Sequence, residues 1–177
     1  GMANMTCAVK NFFGSVPGTR KPELHYLHQS VEEFCSMLVD IALYNAPRLT
    51  LVDAVDCMEG NGPSHGTPRH MGAILAADTP FNADLVCAHL IGLDTADAPT
   101  VAESIARGLC PADWHELNIS GNPDEFAIPD FEKVPRNRKI NFESQSPWLR
   151  AFLRRAFGTG PKIDRAACVG CGKCAEV

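Results

Sequence analysis

Two apolar runs that bracket a glycine-rich segment limit the fold more than any other feature. "RLTLVDAVDC" (48–57) is β-rich, and its near-continuous Leu49, Leu51, Val52, Ala54 and Val55 predict a strand covered on both faces. "MGAILAAD" (71–78) predicts a second buried strand. Between them "GNGPSHGTPRH" (60–70) is dense in glycine, proline and short polar residues, which predicts a loop.

Helical signals surround this pair. Val31, Phe34, Cys35, Leu38, Ile41 and Ala42 fall at helical spacing, with Ser30 as N-cap, Glu33 as its capping-box partner and Pro47 as terminator. "TPFNADLVCAHLIGL" (79–93) opens with turn chemistry and repeats Leu85, Val86, His89, Leu90 and Leu93 on one helical face. "APTVAESIARGL" (98–109) has Pro99 in its first turn and Gly108 near its end. "HELNISG" (115–121) predicts a third, weaker strand, and "SPWLRAFLRRAFG" (146–158) a basic amphipathic helix. The fold class is therefore α/β: helices layered over a small mixed or parallel sheet, with a short C-terminal ferredoxin-like cysteine tail. Residues 3–146 are expected to form the α/β domain and 147–177 the basic helix and cysteine segment, with a Pro- and Asn-rich link from about Asn122 to Ser146.

No tract of eighteen or more apolar residues occurs, so no membrane span is expected. Gly1-Met2 reads as a cleavage scar, and no signal peptide follows it. Cys7, Cys35, Cys57, Cys87 and Cys110 are scattered among apolar neighbours, as small hydrophobes in a reducing cytoplasm would be. The net charge of −5 hides a segment from Lys133 to Arg165 with nine Lys/Arg against two acids. That stretch lacks the aromatic stacking pattern of nucleic-acid binders, so it reads as a solvated face or a protein-docking face rather than a nucleic-acid site.

The strongest chemical motif is "CVGCGKC": Cys168, Cys171 and Cys174 at two-residue gaps. Such gaps let thiolates converge from one tight turn, and soft sulfur selects iron-sulfur clusters or zinc over hard cations. Zinc sites more usually separate two C-x-x-C pairs or add histidine, so a 4Fe-4S cluster is expected, with a zinc-stabilised interaction module as the alternative. The fourth cysteine of the bacterial ferredoxin run would fall one position past Val177, so the sequence is expected to be a piece whose motif closes beyond it. Cys110-Pro111 mimics the closing dipeptide but reads more simply as a helix end.

A second candidate site is "DAVDCMEGNGPSHGTPR" (53–69). Its glycines can turn backbone N–H groups inward toward an anion, and Arg69 can fork onto a carboxylate or phosphate. Neither the Walker nor the dinucleotide spacing is present. Asp56, Glu59 and His65 are the candidates for proton transfer. His25, His28, His89 and His115 read as structural residues, and His65 and His70 rank higher because they share the glycine segment.

"AVKNFFGSVPG", "DAVDCMEGNGPSHGTPR", "ADLVCAHLIGLD" and the terminal "CVGCGKC", in this order, resemble the domain of unknown function 362 (DUF362) family of iron-sulfur-associated proteins. The resemblance implies a role near 4Fe-4S electron transfer and a shared site at Lys10, Asn11, Gly60, Asn61, Gly62, Pro63, Gly66 and Arg69. It also implies an upstream α/β portion that this sequence lacks.

These readings converge on a redox protein, a component of an oxidoreductase, that holds a small polar or anionic ligand at the Gly60–Arg69 segment. A 4Fe-4S centre would connect it to a redox partner protein. A non-catalytic ferredoxin-like carrier or assembly module, docking through Trp148 to Phe157, is the reading from another class. Substrate and oligomeric state leave no trace in the sequence.

Overall fold

The computed structural model describes residues 3–62 and 65–133; the basic helix, the cysteine run at Cys168, Cys171 and Cys174, and Pro63 lie outside the described residues. Residues 1–136 form one compact unit. In chain order its helices are α1 (Ala8–Asn11), α2 (Lys21–Leu27), α3 (Val31–Asn45), α4 (Pro80–Leu90) and α5 (Pro99–Ala106). Two strands, β1 (Thr50–Asn61) and β2 (His65–Ala77), stand between α3 and α4. The class is mixed α/β, as expected, and the described sheet is a two-stranded antiparallel hairpin rather than a mixed or parallel one.

Local signals set the helix ends. Ser30 Oγ accepts from the Glu33 N–H at 3.1 Å, and α3 closes on Ala46 in the left-handed region at φ 43°. Thr79 Oγ1 caps α4 by accepting from Asn82 N–H at 3.1 Å, and Pro80 fills its first turn. Unlike the expectation of a single apolar face, α4 is buried on nearly every side. Val86 and Leu90 pack against Ala54, Met71 and Ala73 of the hairpin, whereas Phe81, Leu85 and Ala88 join Phe34, Leu38 and Val101 of α3 and α5. A helix in the middle layer has no solvent side, which is why its apolar residues do not keep to a stripe.

The hairpin corrects three expectations. The "loop" of residues 60–70 is mostly strand, because cross-strand pairing continues outward to Asn61↔His65. The pairing is irregular between Ala54 and Asp56, where Gly72 takes φ +76°, a left-handed conformation that costs glycine little. Beyond this point Cys57 and Glu59 take up partly buried positions. The strands are also not covered on both faces: Leu51 is 67% and Ile74 74% exposed, since antiparallel ribbons need only one buried face. Finally, "HELNISG" forms no strand among the described residues. Asp113 and Glu116 close a capping box around a single 3-10 turn at Trp114–Glu116, and Leu117 onward borders β2 across a groove of about 870 Å³ without ladder pairing.

The far end of the hairpin is tied back to the body. Gly60 N–H donates to Glu132 O at 2.9 Å, Glu132 N–H donates to Glu59 Oε2 at 3.0 Å, and Arg69 Nη2 donates to Asp130 Oδ1 at 2.8 Å. Gly66 has no room for a side chain: a Cβ there would overlap the Met58 side chain and stand 2.7 Å from Glu59 O. Gly14, by contrast, has nothing within 4 Å of its Cβ direction. Gly66→Ala should therefore destabilise the domain by about 1–3 kcal/mol. Gly14→Ala should stay within about 0.5 kcal/mol of the parent in urea denaturation followed by circular dichroism.

Candidate functional site

A cavity of about 480 Å³ opens between the N-terminal segment, the inner side of β1 and the flank of α4. Asn4, Thr6, Cys7 and Lys10 come from the N-terminal side, Asp53, Cys57 and Gly60 from β1, and Cys87 from α4. Met5, Met58 and Met71 add thioethers to the same wall.

One buried contact brings these elements together. Asp84 on α4 is 1% exposed, and both of its carboxylate oxygens accept from the Val9 N–H at 3.3 Å. Desolvation dominates its ionisation and raises its pKa from 3.8 to about 7, while hydrogen bonds from Cys7 and from the Val9 and Ala8 amides pull the other way. The bond fixes the start of α1 and thereby aims the residues on both sides of it. Asp84 and Cys87 are the ionisable neighbours that act on Cys7. The Cys87 contact, then burial, then the Asp84 charge push the Cys7 thiol strongly toward its protonated form. Burial likewise raises Cys57, with the neighbouring Cys87, Asp53 and Asp56 adding to it.

Lys10 is half-buried, and burial lowers its pKa, since an ammonium shielded from water is costly. Its Nζ donates to Thr6 Oγ1 at 2.7 Å and makes no salt bridge among the described residues. The cavity thus combines one cation, hydroxyl and amide donors, and a cluster of sulfur atoms. It can accept a small anionic or polar group at the lysine and soft or apolar groups along the sulfur wall.

The residues singled out from sequence divide between this cavity and other places. Lys10, Gly60 and Gly62 line it, although 50 residues separate Lys10 from Gly60. Asn11 is exposed on α1, and Asn61 and His65 are exposed at the distal end of the hairpin. Asp56 is exposed and bonded to His70, with Oδ1 2.8 Å from Nδ1. Arg69 is held by Asp130 at 2.8 Å and lies 3.8 Å from Glu59, which itself accepts from Glu132 N–H. The bond to Asp130 raises the Arg69 pKa and holds the Asp130 carboxyl below its usual range, so this guanidinium is committed to carboxylates of its own chain. None of Asp56, Glu59 and His65 lines the cavity, and Gly66 makes close strand packing rather than an anion nest.

Two sets of residues were not visible in the sequence as site residues. Asp84 reads there as one polar position in an apolar helix, and that oddity is the signal that marks it. Cys7, Cys57 and Cys87 show no paired spacing, yet the fold gathers them at one cavity. Cys110 is instead buried in the core, where burial raises its thiol pKa to about 11. Among the described residues, no group of three or more His, Cys, Asp or Glu side chains is arranged to hold a metal ion. No helix among them is long and apolar enough to cross a membrane.

Comparison with known proteins places these features in a wider group. The model of the family described as "Domain of unknown function (DUF362)" matches residues 1–89, which include α1, the hairpin and Asp84. The thylakoid-associated protein sll1697 of Synechocystis sp. is 41% identical over 132 residues, covering 74% of this chain. The chain spans 41% of the length of that relative. No solved structure matches it.

The ionisation of Asp84 gives a test of its burial. The folded chain keeps the Asp84 proton up to about pH 7, whereas the unfolded chain releases it near 3.8. Its contribution is therefore most favourable at low pH and declines as pH rises to about 7. Asp84→Asn has no proton to lose, so between pH 5 and pH 8 it should gain about 2 kcal/mol on the parent in paired urea titrations.

Proposed function

Because the chain belongs to the DUF362 family, whose name assigns no activity, we propose a function from its own residues: a ligand-binding redox module. In this reading the cavity holds a small polar or anionic ligand against Lys10, and the C-terminal cysteines carry a 4Fe-4S cluster that connects the domain to a redox partner protein.

The observation that carries the ligand half is Lys10 itself. Lys10 is half-buried, its Nζ donates to the Thr6 hydroxyl and makes no salt bridge among the described residues, and an incoming anion would restore what burial takes away. Thr6 and Asn4 stand beside it with further hydrogen-bonding groups, and Gly60 and Gly62 add backbone to the β1 wall among the side chains of Asp53, Cys57 and Met58. The commitment of Glu59 and Arg69 to Glu132 and Asp130 leaves binding and orientation, rather than proton transfer by the hairpin, as this wall's contribution.

The redox half rests on the donor set. Three soft thiolates at two-residue gaps, with Gly170 and Gly172 between them, suit corners of an iron-sulfur cluster. When bound, such a cluster supplies single-electron transfer. The cytoplasm, a reducing compartment, suits both the tail and the scattered thiols Cys7, Cys57, Cys87 and Cys110 of the domain.

Each half has its own test. Inorganic phosphate and small dicarboxylates, used as probes, should raise the melting temperature of the full chain, and Lys10→Gln should weaken their apparent affinity about tenfold or more. Absence of any such shift would remove the ligand reading. Anaerobic reconstitution of a chain extended past Val177 should retain iron and inorganic sulfide, and the combined Cys168→Ser, Cys171→Ser and Cys174→Ser variant should lose both. A wild-type extended chain that holds neither would end the redox reading.

A further inference from the structure

Among the described residues the sheet has two strands, so each keeps one edge without a ladder, and a free edge is a template for a further strand. The edge of β2 borders the groove of about 870 Å³ that separates it from the segment around and after the 3-10 turn at Trp114–Glu116. Residues 72–78 line this groove in unbroken succession, and so do residues 116–123 opposite. A groove across the face of a strand meets every second side chain, so consecutive lining residues mark one that runs along backbone.

Neither backbone is engaged elsewhere. Among the described residues, 72–77 make no backbone hydrogen bond outside the hairpin, and 118–121 make none. The second wall is nonetheless extended, with ψ of 143° at Leu117 and 104° at Asn122. Leu117 and Ile119, two residues apart, both pack against the cluster of Ala73, Val86 and Leu90, which is the period of a strand. Ala83, Val86 and Leu90 of α4 add apolar side chains to the lining. Its charged side chains are Asp78 and Glu116, and no Lys or Arg joins them among the described residues.

We propose that this groove docks an extended polypeptide segment of another protein, which adds to the edge of β2 as a third strand and carries Lys or Arg at its ends. Main-chain bonds to β2 supply affinity, small or β-branched side chains at alternate positions meet Ala83, Val86 and Leu90, and the basic ends meet Asp78 and Glu116. The edge over residues 72–77 spans about 20 Å, an ordinary strand length. Lys10 and the cysteines take no part, so the proposal stands apart from the ligand and cluster readings.

The probe is a short synthetic peptide of alternating valine and threonine with lysines at both ends, titrated into the full chain and followed by residue-resolved amide exchange. In the free chain at low concentration, the amides of residues 72–77 that point away from β1 should exchange freely. With the peptide they should slow about tenfold or more, while the amides of α3 keep their rates. The same peptide core with glutamates at both ends should bind about threefold or more weakly, and the difference should shrink in high salt. Asp78→Asn should narrow it as well; because Asp78 also accepts from Asn82 Nδ2 at 2.9 Å, the change of peptide charge makes the same test without altering the chain. Edge amides that exchange equally with and without peptide would overturn the proposal, as would equal binding of the two peptides. Edge amides already protected in the free chain would place the occupant within the chain itself, and protection that grows with protein concentration alone would make it a second copy; either result also overturns the proposal.

Discussion

The bond between the Asp84 carboxylate and the Val9 amide is the contact on which the described architecture turns. Helix α1 has four residues, far short of the length at which a helix persists by itself, so it exists because tertiary contacts hold it. Two such contacts are evident: Val9 is fully buried, and its N–H finds both oxygens of Asp84. Burying a carboxylate is costly, and a neutral residue could fill the same space. What the carboxylate adds is direction, since it fixes the first turn of α1 and hence where Cys7 and Lys10 reach the cavity.

The opposite wall is held by a different device. A two-stranded ribbon is marginal without packing on one face, and β1 and β2 obtain it from α4 through Ala54, Met71 and Ala73. The distal half extends beyond α4 and is secured by the segment around Asp130 and Glu132 through Gly60, Glu59 and Arg69. Gly60 and Arg69, which look in sequence like parts of an anion-binding loop, thus also dock a strand end. The same composition suits both roles, because close backbone approach and a bidentate guanidinium are useful to either.

How much could be read from the sequence follows from how local each feature is. The starts of α3 and α4 were legible because Ser30 and Thr79 act within their own first turns, and the stop at Asn45 is signalled by Pro47. The hairpin was half legible: the two β-rich runs were evident, but pairing through residues 58–61 and 65–70 is fixed by cross-strand register, which glycine and proline content obscures. "HELNISG" has the alternation of a strand, yet a capping box local to Asp113 and Glu116 claims its start and no strand among the described residues pairs with the rest. The meeting of Lys10 with Gly60, and of Cys7 with Cys87, depends on the packing of α1 against α4 and β1, for which no local pattern exists. Only the chemical oddity of an aspartate inside an apolar helix hinted at it.

The contrast between Arg107 and the cavity shows where this molecule departs from what stability alone favours. Arg107 donates to Asp40 at 2.6 Å, to Glu103 at 2.7 Å and to the Ser36 hydroxyl at 2.5 Å, so its charge is fully answered by α3 and α5. Among the described residues the Lys10 ammonium meets the Thr6 hydroxyl and no carboxylate, Asp84 meets backbone amide, and burial shifts both away from their charged forms. Replacing either by an apolar residue of like size would relieve that cost, as it does for many buried polar groups. Two ionisable groups that burial disfavours, set near Cys7 and Cys87, are a local conflict of the described residues, and such conflicts gather where a site needs them. The groups that burial disfavours thus gather beneath the hairpin beside Gly60 and Gly62, whereas Arg69 on the same hairpin is held by Asp130.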